Sequence, residues 1–216
     1  MILHDKNENY LKYSEFSPFE KQIYFQLIYK FLRRLNIEYP GFNNWYNKLF
    51  NENRILNTGR EIIVCEKNNK IAGVVILKAS GEEKKICTLR VTKEFQRQGI
   101  GKKLMELSFE WLEEDKPLLT MHSNKQREFI QLLKYYDFKL EQKSWHYYSI
   151  FSTELVYNGV LPEKKMIFNK FELMDINLFY DKFLKLGGYN IQSFVEQCIL
   201  YWYDLEEKKK IEMLNY

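Results

Sequence analysis

Apolar residues at 24, 27, 28, 31, 32 and 35 fall on one face of a helix with 3.6 residues per turn. Ser17-Pro18-Phe19-Glu20 stands just ahead of them. Serine followed three residues later by glutamate is a capping box, and proline suits the first helical position, so a helix starts there. Residues 10–16 read as a short strand before it. Pro40-Gly41 interrupts the pattern, and residues 43–50 form a second short helix. Two β-branched runs, 61–66 and 70–79, flank Asn68-Asn69 and predict a hairpin. The turn Ser80-Gly81-Glu82-Glu83 leads into a further strand at 84–91. A helix follows with Leu104, Leu107, Trp111 and Leu112 on one face. Pro117 closes it and opens a strand at 118–121. A helix over about 125–135 and an aromatic strand at 143–151 complete the run. The order β-α-α-β-β-β-α-β-α-β over residues 10–151 predicts a mixed α/β fold.

Residues 152–216 read differently. Asp175 caps a helix with Ile176, Phe179, Phe183 and Leu186 on one stripe, and Gly187-Gly188 stops it. Asn190 caps another, with Phe194, Cys198, Trp202 and Leu205 aligned. The chain therefore divides into residues 1–151 and a C-terminal helical hairpin, residues 152–216. That hairpin can cover a pocket, provide the face of a homodimer or bury one side of the sheet.

Composition narrows the function. A chain of 216 residues that is 45% apolar can bury a sizeable core. No apolar run approaches the ~20 residues of a membrane span, and the start is polar within four residues, which argues against a membrane and a signal peptide. Cys65, Cys87 and Cys198 are scattered and lack metal-ligand spacing, as reduced thiols of a cytoplasmic protein would be, with no metal implied. The net charge of +4 comes from 33 basic and 29 acidic residues, interleaved. It permits acidic ligands, but it does not make the one-signed face that nucleic acid requires.

The chain holds only nine glycines, and two of them stand one residue apart in Gln96-Arg97-Gln98-Gly99-Ile100-Gly101-Lys102, where a strand gives way to a helix. A helix start exposes unpaired amide groups and a partial positive charge, and glycine lets phosphate oxygens approach them. Arg97, Lys102 and Lys103 add charge beside these amides. The nucleotide P-loop is excluded, because Lys103 follows Gly101-Lys102 in place of serine or threonine. The dinucleotide fingerprint is excluded too, because Leu104 stands where a third glycine belongs. A turn with solvated basic residues is the plainer alternative.

The stretch Gln96–Gly101 resembles the Gln/Arg-x-x-Gly-x-Gly/Ala signature of the GNAT superfamily of acetyl-CoA-dependent N-acetyltransferases. It follows a strand with Leu89-Arg90-Val91 and opens the third helix, and the element order is similar to that of the family. Asp137-Phe138 resembles the family's Gly-Phe. The resemblance covers about residues 8–151 and implies a mostly antiparallel sheet flanked by helices. It also implies acetyl-CoA as cosubstrate and a small-molecule, peptide or protein amine as acceptor. By that resemblance, the backbone of Leu89, Arg90 and Val91 meets the pantetheine arm. The amides of Arg97, Gln98, Gly99, Ile100, Gly101 and Lys102, with Gln96, take the pyrophosphate, and Asn124 contacts the arm further along.

An amine attacks a thioester only when neutral, and a lysine-like amine of pKa ~10.4 is overwhelmingly protonated near pH 7. A base, or a desolvating pocket, is therefore needed. Many members of the family use a glutamate on the fourth strand and a tyrosine four residues before the glycine of Gly-Phe. Lys85 and Leu133 stand at those positions here. The nearest substitutes are Glu83, on the same strand face as Lys85, Tyr136 or its neighbour Tyr135, and His122. Each has a plainer reading: a solvated turn carboxylate, helix-end packing and a satisfied structural histidine. Phe42, Trp45 and Tyr46 can meet Trp145 and Tyr147 around an acceptor pocket, or simply pack. A non-catalytic acyl-CoA-binding module and an enzyme directed at RNA or aminoacyl-tRNA are the competing functions.

Overall fold

The computed structural model describes residues 8–39, 41–145, 147–148 and 153–162. The expected helical hairpin, with Cys198, lies outside the described residues, as do His4 and His146. Seven strands make one sheet: β1 (Glu8–Lys12), β2 (Arg60–Lys67), β3 (Lys70–Ser80), β4 (Glu83–Val91), β5 (Leu118–His122), β6 (Leu140–Trp145) and β7 (Thr153–Tyr157). Their order is β1-β2-β3-β4-β5-β7-β6. Every neighbouring pair is antiparallel except β4 and β5, which gives the mixed sheet that the pattern predicts. The β2–β3 turn holds Asn68 and Asn69 at φ of 53° and 58°. Asparagine tolerates this left-handed backbone, and two such residues match the twist of a hairpin.

Among the described residues five helices cover the two faces: α1 (Pro18–Leu32), α2 (Leu35–Glu38), α3 (Phe42–Asn47), α4 (Ile100–Leu112) and α5 (Gln126–Tyr135). The α1 capping box forms in both directions: the Glu20 amide donates to Ser17 Oγ at 3.3 Å, and the Ser17 amide donates to Glu20 Oε2 at 2.8 Å. The buried stripe of α1 is Phe25, Ile28 and Leu32, and Leu27 is 43% exposed. Tyr24, Phe31 and Leu35 pack against this stripe as the pattern predicts, so Leu27 alone departs from the expected face, while Phe25 joins it, edge-on against Phe50 and tilted against Tyr46. α1 and α3 pack on the face carrying Ile62, Val64, Val74 and Ile76. α4 and α5 cover the opposite face, where Val75, Leu77, Ile86, Leu119 and Leu155 meet Ile100, Leu104 and Leu133.

Two expectations change. The first strand ends at Lys12, because Tyr13–Glu15 wind into a 3-10 turn whose Tyr13 hydroxyl donates to the carbonyls of Lys21 and Arg54, both at 2.9 Å. The single strand expected at 143–151 is replaced by β6 and β7, and β7 inserts between β5 and β6. The sheet thus runs past residue 151 into residues that the pattern assigned to the extension. Glu154 hid the strand, since a carboxylate interrupts its apolar run.

Candidate functional site

β4 and β5 lie parallel but pair at only two positions, Lys85 with Leu118 and Ile86 with Leu119. Beyond them the strands diverge, and the β5-facing edge of residues 87–91 has no strand partner among the described residues. Unpaired backbone groups on such an edge need a partner, from water or from a ligand. On its other side, β4 is held by β3 through a bulge: Leu77 opposes Ile86 and Ile76 opposes Thr88, so Cys87 is the extra residue.

α4 starts where β4 ends. Its N-cap, Gly99, has φ of +91° and no side-chain cap bond, and its first turn contains no acidic residue. The first helical hydrogen bond runs from the Lys103 amide to the Gly99 carbonyl at 3.0 Å. The amides of Gly99, Ile100, Gly101 and Lys102 ahead of it have no partner among the described residues. A Cβ built on Gly99 would meet nothing within 4 Å, so the space in front of these amides is open. Arg97, at φ of 61°, also adopts the left-handed backbone, the kind of turn that gathers successive N–H groups into an anion-binding concavity. Gly73 on β3 permits the helix to sit this close, since a Cβ there would stand 2.9 Å from Leu104 Cδ1 and 3.1 Å from Ile100 Cγ2.

The side chains of the signature have different tasks. Gln96 Nε2 donates to the Val91 carbonyl at 3.2 Å, and Gln98 Nε2 donates to the Glu94 carbonyl at 3.0 Å. Both brace the turn. Lys102 Nζ donates to the Tyr135 hydroxyl at 2.7 Å, which raises the lysine pKa, and Lys103 lies 3.9 Å from Glu106. Arg97 has no hydrogen-bond or ion-pair partner among the described residues. It is the cation left to the open space.

On the α1 side of the sheet, a polar cluster borders the point where β4 and β5 part. His122 and Glu154 are cross-strand partners on β5 and β7, 3% and 1% exposed. The Tyr39 hydroxyl, held at the end of α2, accepts from the His122 amide at 3.0 Å and donates to Glu154 Oε1 at 3.5 Å. Thr120 hydrogen bonds both Glu154 and Tyr148, and the Tyr148 ring meets Tyr39 edge-on at 5.4 Å. Burial pushes the Glu154 carboxyl up to about 7, against hydrogen bonds from Thr120 and Tyr39 and the charge of Lys85, which pull it down. Burial also lowers His122. Its Nδ1 accepts from the Asn124 amide at 3.1 Å, which puts the ring proton on Nε2. Glu154 Oε2 and His122 Nε2 are both buried without a partner among the described residues. Cys87 stands beside this cluster, 3.5 Å from Arg60 Nη1, with its thiol pushed up by burial.

The remaining candidates lie elsewhere. Glu83 opens β4 at the end far from the start of α4 and ion-pairs with Lys78. It borders a shallow hollow of about 380 Å³ together with Glu114, Lys116 and Asn158. Tyr136 caps α5, and its hydroxyl lies 3.3 Å from both Glu106 Oε1 and the Lys102 carbonyl, on the α4 face. Leu133 is a core residue, 1% exposed. Asp137 takes φ of 50°, the backbone that explains a glycine at this point, and Phe138 packs in the core. Phe42 and Tyr46 are buried in the α1-side core, and Trp145 is 72% exposed. Glu154 is not among the residues to which the sequence pattern points. Its only signal was a lone acid inside a β-branched run, Thr153-Glu154-Leu155-Val156-Tyr157. Among the described residues no helix is long and apolar enough to cross a membrane, and no cluster of metal-binding side chains occurs.

Residues 37–141 match the family model described as an acetyltransferase (GNAT) domain. Among solved structures, the chain is similar to a putative GNAT-family acetyltransferase from Desulfovibrio desulfuricans. The two are 11% identical over 69% of this chain and 96% of that one, with a TM-score of 0.50. It is also similar to a GNAT-family acetyltransferase from Elizabethkingia anophelis with acetyl-CoA bound, at 15% identity over 71% and 97% of the two chains, also with a TM-score of 0.50. At these identities the likeness is one of fold. Among curated proteins none matches the sequence.

Proposed function

We propose that the protein moves the acetyl group of acetyl-CoA to a primary amine of a small molecule, peptide or protein by direct attack, as the match of residues 37–141 to an acetyltransferase (GNAT) domain model supports. The observation that carries this reading is the row of partnerless amides, Gly99 to Lys102, at the uncapped start of α4 beside the open edge of β4. Those amides and Arg97 suit a pyrophosphate, since charge-assisted hydrogen bonds contribute about 1.5–3 kcal/mol each. The free edge of Leu89, Arg90 and Val91 suits the amide groups of a pantetheine arm. Asn124, in the 3-10 turn after β5, lies further along the same path. Gln96 and Gln98 serve the site by holding the turn in shape.

The gap between β4 and β5 leads from the amide row to the polar cluster on the α1 side. A thioester laid along the gap would present its carbonyl carbon there, and holding the two reactants together lowers the barrier substantially. Tyr136, tied to α4, contributes to the cofactor side of the site.

Substitution of Gly101 tests the reading. A Cβ at Gly101 would meet only Val91 Cγ2 at an ordinary 3.8 Å. Gly101→Ala should therefore keep acetyl-CoA affinity within about threefold, while Gly101→Glu, which places a carboxylate in the anion site, should lower it about a hundredfold or more at unchanged melting temperature. Calorimetric titration measures both. Equal affinities for the two variants would remove the pyrophosphate site. Binding without thiol release from acetyl-CoA, across a panel of amines, would instead favour a non-catalytic acyl-CoA-binding module.

A further inference from the structure

Glu154 and His122 are buried polar residues that the fold leaves incomplete. Their carboxylate and imidazole occupy directly paired positions of β7 and β5, on the α1 face of the sheet. Each keeps one atom, Oε2 and Nε2, without a partner among the described residues. Buried polar atoms in native proteins are nearly always satisfied, so two such atoms on one face call for a polar partner, an ordered water or a substrate group. The gap between β4 and β5 opens just past Leu119. The next residue, Thr120, hydrogen bonds Glu154. Thr120 thus links the strand that borders the gap to the carboxylate.

We propose that Glu154 is the general base of acetyl transfer, its Oε2 taking the proton from the acceptor ammonium, with Tyr39 and Thr120 holding the carboxylate and His122 positioned beside it. This rests on the acetyltransferase reading above and supplies the base that Lys85, at the family's usual glutamate position, cannot be. In the step, one N–H bond of the ammonium breaks and its proton goes to Oε2, leaving a neutral amine and a carboxylic acid. The nitrogen lone pair then forms the C–N bond to the thioester carbon as the C–S bond breaks. A second proton from nitrogen ends on the sulfur, and Glu154 returns its own proton to water.

The charges around Glu154 suit this role. Glu38 and Tyr39 face it from α2, Lys85 from β4, His122 from β5, and Tyr148 and Tyr147 from the segment between β6 and β7. Lys125 reaches the edge of the group and ion-pairs with Glu38 at 3.3 Å. The Thr120 hydrogen bond and the charge of Lys85 oppose the rise that burial causes in Glu154, and the two glutamates favour a cationic acceptor. A base that titrates close to the working pH combines a usable ionised fraction with a useful proton affinity.

The test compares the full-length protein with Glu154→Gln and Glu83→Gln. Acetyl-CoA binding is followed by calorimetry, and thiol release is followed from about pH 6 to about pH 9 with an alanyl tetrapeptide amide, spermidine and 2-phenylethylamine as acceptors. Glu154→Gln should bind acetyl-CoA within about threefold of the wild type, release thiol about a hundredfold or more slowly near pH 7, and lose the inflection near neutrality. Carbon-13 NMR of labelled glutamate carboxyls gives a readout independent of turnover. One wild-type signal should titrate near neutral pH and be absent from Glu154→Gln. Retention of rate and inflection by Glu154→Gln overturns the proposal, as does loss of both in Glu83→Gln alone, or the absence of any glutamate titrating above about pH 6 in a protein that binds acetyl-CoA. Failure of the wild type to bind acetyl-CoA would instead overturn the acetyltransferase reading itself.

Discussion

The Glu154 carboxylate has left water with little in return, and this shows in its proton affinity. Burial raises it from an ordinary 4.5 to about 7. A group that holds its proton more tightly when folded contributes stability that is full below its unfolded value and is lost as pH rises through its folded one. Relative to acid, this weakens the folded state by roughly 3 kcal/mol above neutral pH. Glu154→Gln should therefore melt several degrees above the wild type at about pH 8, with little difference at about pH 4. Thermal unfolding of both proteins at the two pH values measures this. His122, lowered by burial, works in the opposite direction by losing stability as pH falls, but it is common to both proteins and cancels from the comparison. Identical melting differences at both pH values would show that the carboxylate is not held as a buried, ionisable group. Such a residue leaves almost no trace in the sequence, where it is one acid in a short apolar run.

Among the elements, the β4–α4 junction was the most legible. Two glycines spaced by one residue at a strand-to-helix boundary report a backbone requirement, and Gly99 meets it with φ of +91°. The bracing by Gln96 and Gln98, and the diversion of Lys102 onto Tyr135, were not legible, because they depend on where neighbouring elements end. The closeness of α4 to the sheet depends on Gly73, a residue from a different strand. Gly73→Val would drive branched carbons into Leu104 Cδ1 and Ile100 Cγ2, which lie 2.9 and 3.1 Å from an ideal Cβ. Overpacking of this kind typically costs 1–3 kcal/mol. The first turn of α4 should shift with it, so acetyl-CoA affinity should fall along with the melting temperature, to be read by calorimetry and thermal unfolding. Unchanged affinity in a destabilised protein would separate the anion site from this contact.

In the whole molecule, β7 ties the end of the described chain to its centre. Leu155, Val156 and Tyr157 are buried, and the strand bonds β5 on one side and β6 on the other. A chain stopped after residue 151 would leave β5 and β6 with unpaired edges and an open core. It should show no cooperative melting by circular dichroism, and a sharp transition in that truncated chain would sink the assignment of β7 as an integral strand. Local signals determined a great deal by themselves. The capping box at Ser17, the Asn68-Asn69 hairpin, the alternating runs of β2 to β4 and the glycine turn each depend on residues a few positions apart, so these elements and the left-handed glycine at the start of α4 could be read directly. The tertiary structure decided what depends on distant pairs: the insertion of β7 between β5 and β6, the parting of β4 from β5, and the meeting of Tyr39, His122 and Glu154. Those residues stand 83 and 115 positions from Tyr39 along the chain. The closing of the sheet removes water from them, and it is this loss of water that raises the proton affinity of Glu154.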